Sequence, residues 1–436
     1  MRIKALFSLA VLGYAGLALA QATPAQNVVV EEKKSETVTV VVKETPKPPA
    51  FVFELHGFVS TTGYFQDANF AVAGGGQSAL FLTGTTGVPP NAPAGQAWTA
   101  DKPLFGFDIR QSRLNFSVRG PAVLGGAVPK AVVELDFFGS SEFTGVGAFG
   151  DVSVLPRLRV AYVELNWDNG RHIIQLGQQN MLTIGIIPQS LSHIAFPATY
   201  TAGTVGWRQP GFWGWHTFGD DLKFEFAWSV QRSGWANTVP HEGLNDGVSS
   251  GLPAFEARGK LMFGKMLNVW LSGHWQMVDT NGPNQIAVAN SNNDLTTVLG
   301  TVGVNGNIGP IAYAGSAWYG KNTGPLLGNV LQFTPSTTLN AYRVDIFGYG
   351  VWGQVGMNVT KQMSAWFTYG IDHPVYANII QAGLTRLRNQ NLVAMVRYQD
   401  GGFAFGAEWL YTRTTNTLSV DPLIGNQISI TGNYYF

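Results

Sequence analysis

From Phe51 onward the apolar residues recur at every second position rather than every third or fourth. In residues 222–230, Leu222, Phe224, Phe226, Trp228 and Val230 share one face, while Lys223, Glu225, Ala227 and Ser229 share the other. Residues 403–411 repeat this, with Phe403, Phe405, Ala407, Trp409 and Tyr411 set against Gly406 and Glu408. Met363, Ala365, Phe367 and Tyr369 likewise oppose Ser364, Trp366 and Thr368. Apolar-out, polar-in alternation over about ten residues suits a strand that crosses a membrane. Soluble sandwiches alternate too, so the spacing of the segments carries more weight than any one of them.

The period predicts strands near 54–66, 105–119, 129–138, 157–167, 171–181, 203–217, 222–231, 254–263, 267–278, 295–305, 309–319, 342–358, 362–371, 389–399, 402–412 and 426–436. Their connections alternate between long and short. The short ones include Asp168-Asn169-Gly170, Gly264-Lys265-Met266, Gly306-Asn307-Ile308, Thr360-Lys361 and Asp400-Gly401, several with the glycines of tight hairpins. The expected fold is all-β: a transmembrane antiparallel β-barrel of about 16 strands over residues 51–436, with long extracellular loops and short periplasmic turns. Roughly 24 residues per strand and connection leave no plug domain, and sixteen strands enclose an aqueous lumen.

Composition narrows the setting. Charged residues make up 12% of the chain, against about a quarter in soluble domains, while there are 53 glycines and 12% aromatics. Residues 1–20 read as a secretory signal peptide: Arg2 and Lys4, an apolar run from Ala5, then Ala18-Leu19-Ala20 before Gln21. No second apolar run is long enough for a spanning helix, and only helices and closed barrels satisfy the backbone inside a bilayer. With 0 cysteines the chain is neither a lipoprotein nor a thiol enzyme nor a disulfide scaffold. Without Arg2 and Lys4 it carries 25 basic and 27 acidic residues, a balance that argues against nucleic acid. Residues 21–50 alternate charges (Glu31, Glu32, Lys33, Lys34) with valine clusters and close on Pro46, Pro48 and Pro49. They read as a periplasmic N-terminal extension or linker; a short strand or an oligomeric coil stays open, though the valines fit no sustained heptad.

Ile428, Ile430, Gly432, Tyr434 and Phe436 share one face of the final strand. This resembles the C-terminal signal read by the barrel-assembly machinery, with Tyr434 and Phe436 as the assembly signal. Arg110-Gln111-Ser112-Arg113, Arg157-Leu158-Arg159-Val160-Ala161-Tyr162-Val163, Leu176-Gly177-Gln178 and Arg208-Gln209-Pro210 resemble blocks of the DcaP-like porins, some shared with phosphate-selective porins O and P. The resemblance covers the first half of the barrel and the last strand. It implies a sixteen-stranded homotrimer in the outer membrane, in contact with lipid and lipopolysaccharide, that passes small polar solutes. DcaP-like members also carry an N-terminal periplasmic extension, whose heptads are not evident here.

No catalytic constellation is present. The seven histidines lack metal-ligand spacing, and neither metal nor cofactor is expected. The working parts of such a channel are charges at a constriction. Phe105, Phe107 and Ile109 share one parity but Leu114, Phe116 and Val118 the other, so the apolar face slips between them, as a β-bulge would cause. A bulge there turns both Arg110 and Arg113 towards the lumen; alternatively they anchor wall carboxylates such as Glu134 and Asp136. Arg208 has inward parity in the expected strand. The third long loop, 182–202, contains no Asp, Glu, Lys or Arg, and His193 is its one group titrating near neutrality. Arg110, Arg113, Arg208, His193, Glu134 and Asp136 are therefore the expected constriction, and they favour anions or neutral solutes. Inward Glu225, Glu256, Asp345 and Glu408 weigh against that preference. The competing reading is a structural or adhesive barrel that binds a partner through its loops or extension.

Overall fold

The computed structural model describes residues 28–30, 40–42, 51–72, 77–83, 103–139, 154–234, 248, 250–279, 294–333 and 344–436. The expected signal peptide lies outside the described residues. The chain divides into two units, residues 1–50 and 51–436. In the first, Val28–Val30 pairs antiparallel with Val40–Val42.

The second unit is a closed barrel. Its strands are β1 (Val52–Gln66), β2 (Leu104–Asp108 and Arg113–Arg119, one strand broken in the middle), β3 (Val128–Asp136), β4 (Arg157–Trp167), β5 (His172–Asn180), β6 (Arg208–Phe218), β7 (Leu222–Gln231) and β8 (Ala254–Phe263). Then follow β9 (Leu267–Asp279), β10 (Asp294–Ile308), β11 (Ile311–Lys321), β12 (Phe347–Asn358), β13 (Met363–Pro374), β14 (Arg386–Asp400), β15 (Phe403–Asn416) and β16 (Leu423–Tyr435). Each pairs antiparallel with the next, and β16 closes on β1 through pairs such as Ile428↔Phe65 and Tyr434↔Val59. Closure leaves no strand edge unpaired, which is the condition for a sheet in hydrocarbon.

The alternation is visible as burial. On β12, Tyr349, Val351 and Val355 are exposed outside, while Trp352 and Gln354 are buried inside. On β15, Phe403, Phe405 and Trp409 face out, and Ala404, Glu408 and Leu410 face in. Strand ends shift by up to five residues, and three of these differences have a visible place in the fold. The turn placed at Gly306-Asn307-Ile308 lies at Gly309-Pro310, because Asn307 and Ile308 pair with Ala312 and Ile311. Gly309 has φ 59°, as the first central residue of a II′ hairpin turn requires, and proline fixes the second. The strand expected at 203–217 starts at Arg208, because residues 203–207 pack inside the barrel: Gly206 N–H donates to Leu326 O (2.7 Å). The strand expected at 342–358 starts at Phe347.

The lumen contains the apolar core that a thin wall cannot supply. Described parts of the first, second, third and sixth long connections, which follow β1, β3, β5 and β11, pack inward. Leu80, Phe81, Phe138, Ala195, Phe196, Tyr200 and Val330 form one cluster there. Met181, Val205, Leu299, Trp318 and Leu326 form a second. At roughly 25 cal/mol per Å² of apolar surface removed from water, such burial holds the loops inside rather than above the barrel.

Candidate functional site

The break in β2 produces the slipped face. Asp108 pairs with Thr62 and Arg113 with Phe58, so four residues of β2 stand opposite three of β1. Ser112 Oγ accepts the Ser60 N–H that the break strands (2.9 Å) and donates to Ile109 O (2.7 Å). Phe105, Phe107 and Ile109 stay outside below the break and Phe116 above it, so Asp108 and Arg113 both turn inward. A second irregularity serves the same end. Glu134 pairs with Val160 but Leu135 with Leu158, which leaves Arg159 as an extra residue in β4. Bulges re-aim side chains in this way.

The two irregularities gather a row of arginines. Arg110 pairs with Asp108 (Nη2–Oδ2 2.6 Å) and lies over the Phe138 ring at 4.7 Å. Arg157 pairs with Asp136 (2.6 Å), and Arg159 bridges Glu134 and Asp136, each at 2.8 Å. Arg113 stands 3.6 Å from Glu134, and two of its buried nitrogens make no hydrogen bond among the described residues. Arg208 forms no ion pair among the described residues; its guanidinium lies 4.3 Å over Trp207. By register it shares the outward parity of Phe212, yet only 8% of it is exposed, and it lines the arginine cavity. Burial pushes the Tyr200 phenol up, so this loop group on the cavity lining is neutral.

The third connection, 181–207, crosses the lumen and is held by acids of the wall. Glu256 accepts the Leu182 N–H (2.6 Å) and the Thr183 hydroxyl (3.0 Å). Gln354 is bonded both ways to Gln189. Glu408 accepts from Ser190 Oγ (2.6 Å) and Ser192 Oγ (2.7 Å) and pairs with His193 Nδ1. Gln111, next to Arg110, accepts from Ile194 N (2.5 Å) and Ala195 N (3.0 Å). Two glycines make room. A Cβ on Gly370 would meet Ala202 O at 2.0 Å, and Gly203, at φ 109°, lies against Val351.

Between loop and wall lies a cavity of about 380 Å³. Its wall side carries Arg113, Glu134, Arg159 and Arg208, and its loop side Ile184, Ile186, Ile187, Ile194 and Tyr200. Arg110, Arg113, Arg157, Arg159 and Arg208 face three carboxylates, those of Asp108, Glu134 and Asp136.

Of the expected residues, Arg113, Glu134 and Arg208 line this cavity, and Asp136 and Arg110 sit beside it. His193 does not line it: it is 2% exposed and held by Glu408 across the barrel. Arg110 anchors Asp108 and neither Glu134 nor Asp136. Arg157, Arg159 and Asp108 were missed, although the parity slip that flagged Arg110 also flags Asp108. Inward Glu225 pairs with Arg258 (3.0 Å), whereas Asp345, expected to face inward, is exposed beside buried Ile346 and pairs with Lys321 on the outer face (2.9 Å). Tyr434 and Phe436 face outward, and the Phe436 backbone exchanges both bonds with Gly57. No group of three or more metal-ligating side chains occurs among the described residues.

No family model matches the chain, and no characterised relative matches its sequence. Solved structures do match its shape. The outer membrane channel DcaP of Acinetobacter baumannii aligns with a TM-score of 0.66 at 14% identity, over 88% of this chain and 97% of that one. The fold is that of an outer-membrane porin. An anion-selective porin from Comamonas acidovorans aligns at 0.54 and 12% identity, over 89% and 100% of the two chains. OmpT of Vibrio cholerae, in its trimer form, aligns at 0.52 and 12%, over 89% and 100%. The barrel shares its fold with channels of the outer membrane, and in such barrels the long loops lie at the extracellular end.

Proposed function

We propose that this porin is a homotrimeric diffusion channel that passes small polar solutes and prefers anions, and that it is not an enzyme. Arg208 carries the reading: a guanidinium at the cavity wall with no carboxylate partner among the described residues. The loop opposite offers isoleucines and a neutral tyrosine, so nothing on that side cancels the arginine row. In a narrow, partly desolvated passage fixed charge acts more strongly than in bulk water. Porins of similar shape support a channel and a trimer; one of them is described as anion-selective.

Reversal potentials across a salt gradient test the preference. The wild-type channel is expected to pass small anions more readily than cations of equal size. Arg113→Gln with Arg208→Gln should shift it towards cations, more so at low salt, where screening is weakest. Cation preference in the wild type, or no shift in the double variant, refutes the arginine passage. Sedimentation as a monomer in mild detergent refutes the trimer.

A further inference from the structure

Two arginines lie on the outside of the wall at the extracellular end. On β14, Asn389 and Asn391 are buried inside, and on β15 Thr412 and Thr414 are. Arg388, which precedes Asn389, and Arg413, between Thr412 and Thr414, therefore face outward and are partly exposed. Arg388 pairs with Thr415 and Arg413 with Gln390, which makes the two arginines diagonal neighbours on one face. Side chains so placed have Cβ atoms roughly 7–8 Å apart, close enough for two guanidinium groups to converge on one anion. Neither has a hydrogen bond or ion pair among the described residues, and the Nε of Arg388 is buried without an acceptor. Lys321, also outward at this end, is neutralised by Asp345 at 2.9 Å.

Their height matters. Tyr319, Tyr349 and Tyr369 are exposed on the outer face and form part of an aromatic belt, and Gln390 Nε2 donates to Tyr369 Oη (2.6 Å). Such belts mark the head-group level of the membrane. Arg413 stands two residues beyond outward-facing Tyr411, towards the extracellular end. Adjacent like charges repel, and the cost of a cation on the lipid face falls to about 0–1 kcal/mol only near the interface. Arg388 and Arg413 thus sit where two unpaired cations are tolerated and where phosphate groups of the outer leaflet lie.

We propose that Arg388 and Arg413, with Gln390 between them, hold a phosphate group of an outer-leaflet lipid, the phosphorylated lipid A part of lipopolysaccharide. Paired arginines are suited to phosphate geometry, and clustered basic side chains at a membrane surface bind lipid head groups. This rests on the barrel's seat in the outer membrane and not on what the channel passes.

The test uses the full chain purified in detergent, with bisphosphorylated and dephosphorylated lipid A as probes and native mass spectrometry as the readout. The wild type should retain the bisphosphorylated form in preference. Arg388→Gln with Arg413→Gln should weaken that retention by about thirtyfold, the loss of two head-group contacts, while Arg388→Lys with Arg413→Lys keeps most of it. Heat-modifiable migration and single-channel conductance should stay as in the wild type, which separates this site from the channel. Equal retention of both lipids by the wild type, or unchanged retention by the glutamine variant, overturns the proposal. Unaltered lipid retention with dissociation of the oligomer also overturns it and assigns the arginines to a contact between copies.

Discussion

Replacing Glu408 with glutamine asks whether the barrel wall holds the third connection in the lumen. Glu408 is 3% exposed and serves three donors: Ser190 Oγ, Ser192 Oγ and His193 Nδ1. An amide keeps the shape but offers one acceptor oxygen; in the place of Oε1 it still serves Ser192 and His193 and turns an N–H towards Ser190 Oγ. A hydrogen bond to a charged group contributes about 1.5–3 kcal/mol net, so the lost Ser190 bond accounts for about that much. Removing one partner of a buried pair costs about 3–5 kcal/mol, and relief of the buried charge argues for the lower end. At about 3 kcal/mol, and 1.4 kcal/mol per decade, local opening of residues 189–193 rises roughly a hundredfold. Gln111 still holds Ile194 and Ala195, so the loop as a whole stays seated. Hydrogen exchange reads this as about two decades of lost protection at the His193 amide, which donates to Ser190 Oγ (2.8 Å). Single-channel records should show added flicker, with anion preference intact because Glu408 is not part of the arginine row. Unchanged protection at His193 would refute the anchoring. So would equal loss over every strand, which reports a weaker barrel rather than a freed loop.

Gly370→Val drives a Cβ against Ala202 O, which stands 2.0 Å away, and should cost about 1–3 kcal/mol. The loop should shift and conductance rise, whereas unaltered conductance would mean the contact does not seat the loop. Phe436→Ala should lower the amount of heat-modifiable barrel in the outer membrane, because the ring covers Gly57 and is the proposed assembly signal; wild-type levels would speak against that role. Deletion of residues 21–50 should leave conductance as in the full chain, since the barrel's strands begin at Val52; a changed conductance would show that they act on the pore.

The wall was legible in the sequence because its physics is local. A period of two, with lipid on one side and lumen on the other, fixes which residue faces where, and hairpin glycines fix most of the reversals. The parity slip at Ile109–Leu114 was legible for the same reason. What periodicity cannot report is the path of a chain inside the lumen. Residues 203–207 look like the start of a strand, yet Gly206 bonds to Leu326 in another loop. His193 looked like a constriction residue because its loop was expected to line the pore; its partner, Glu408, lies 215 residues away. Arg159 was hidden by its bulge, which shows only as a broken register with β3.

The acid-free loop and the inward wall acids, which pointed in opposite directions in the sequence, belong to one arrangement. A loop with no carboxylate offers, beside its carbonyls, a set of donors: backbone N–H groups, hydroxyls and an imidazole. Those donors need acceptors on the wall, and Glu256 and Glu408 are placed to receive them. Once engaged, each acid is buried and its charge is answered within hydrogen-bond distance, so little of its field reaches the passage. Asp108, Glu134 and Asp136 are answered in the same way by Arg110, Arg157 and Arg159. Arg208 has no such partner among the described residues, and Arg113 has a distant one. On the proposed reading, a chain with nearly balanced total charge acquires a one-signed passage because its acids are committed to the loop or to neighbouring arginines, while Arg208 is not.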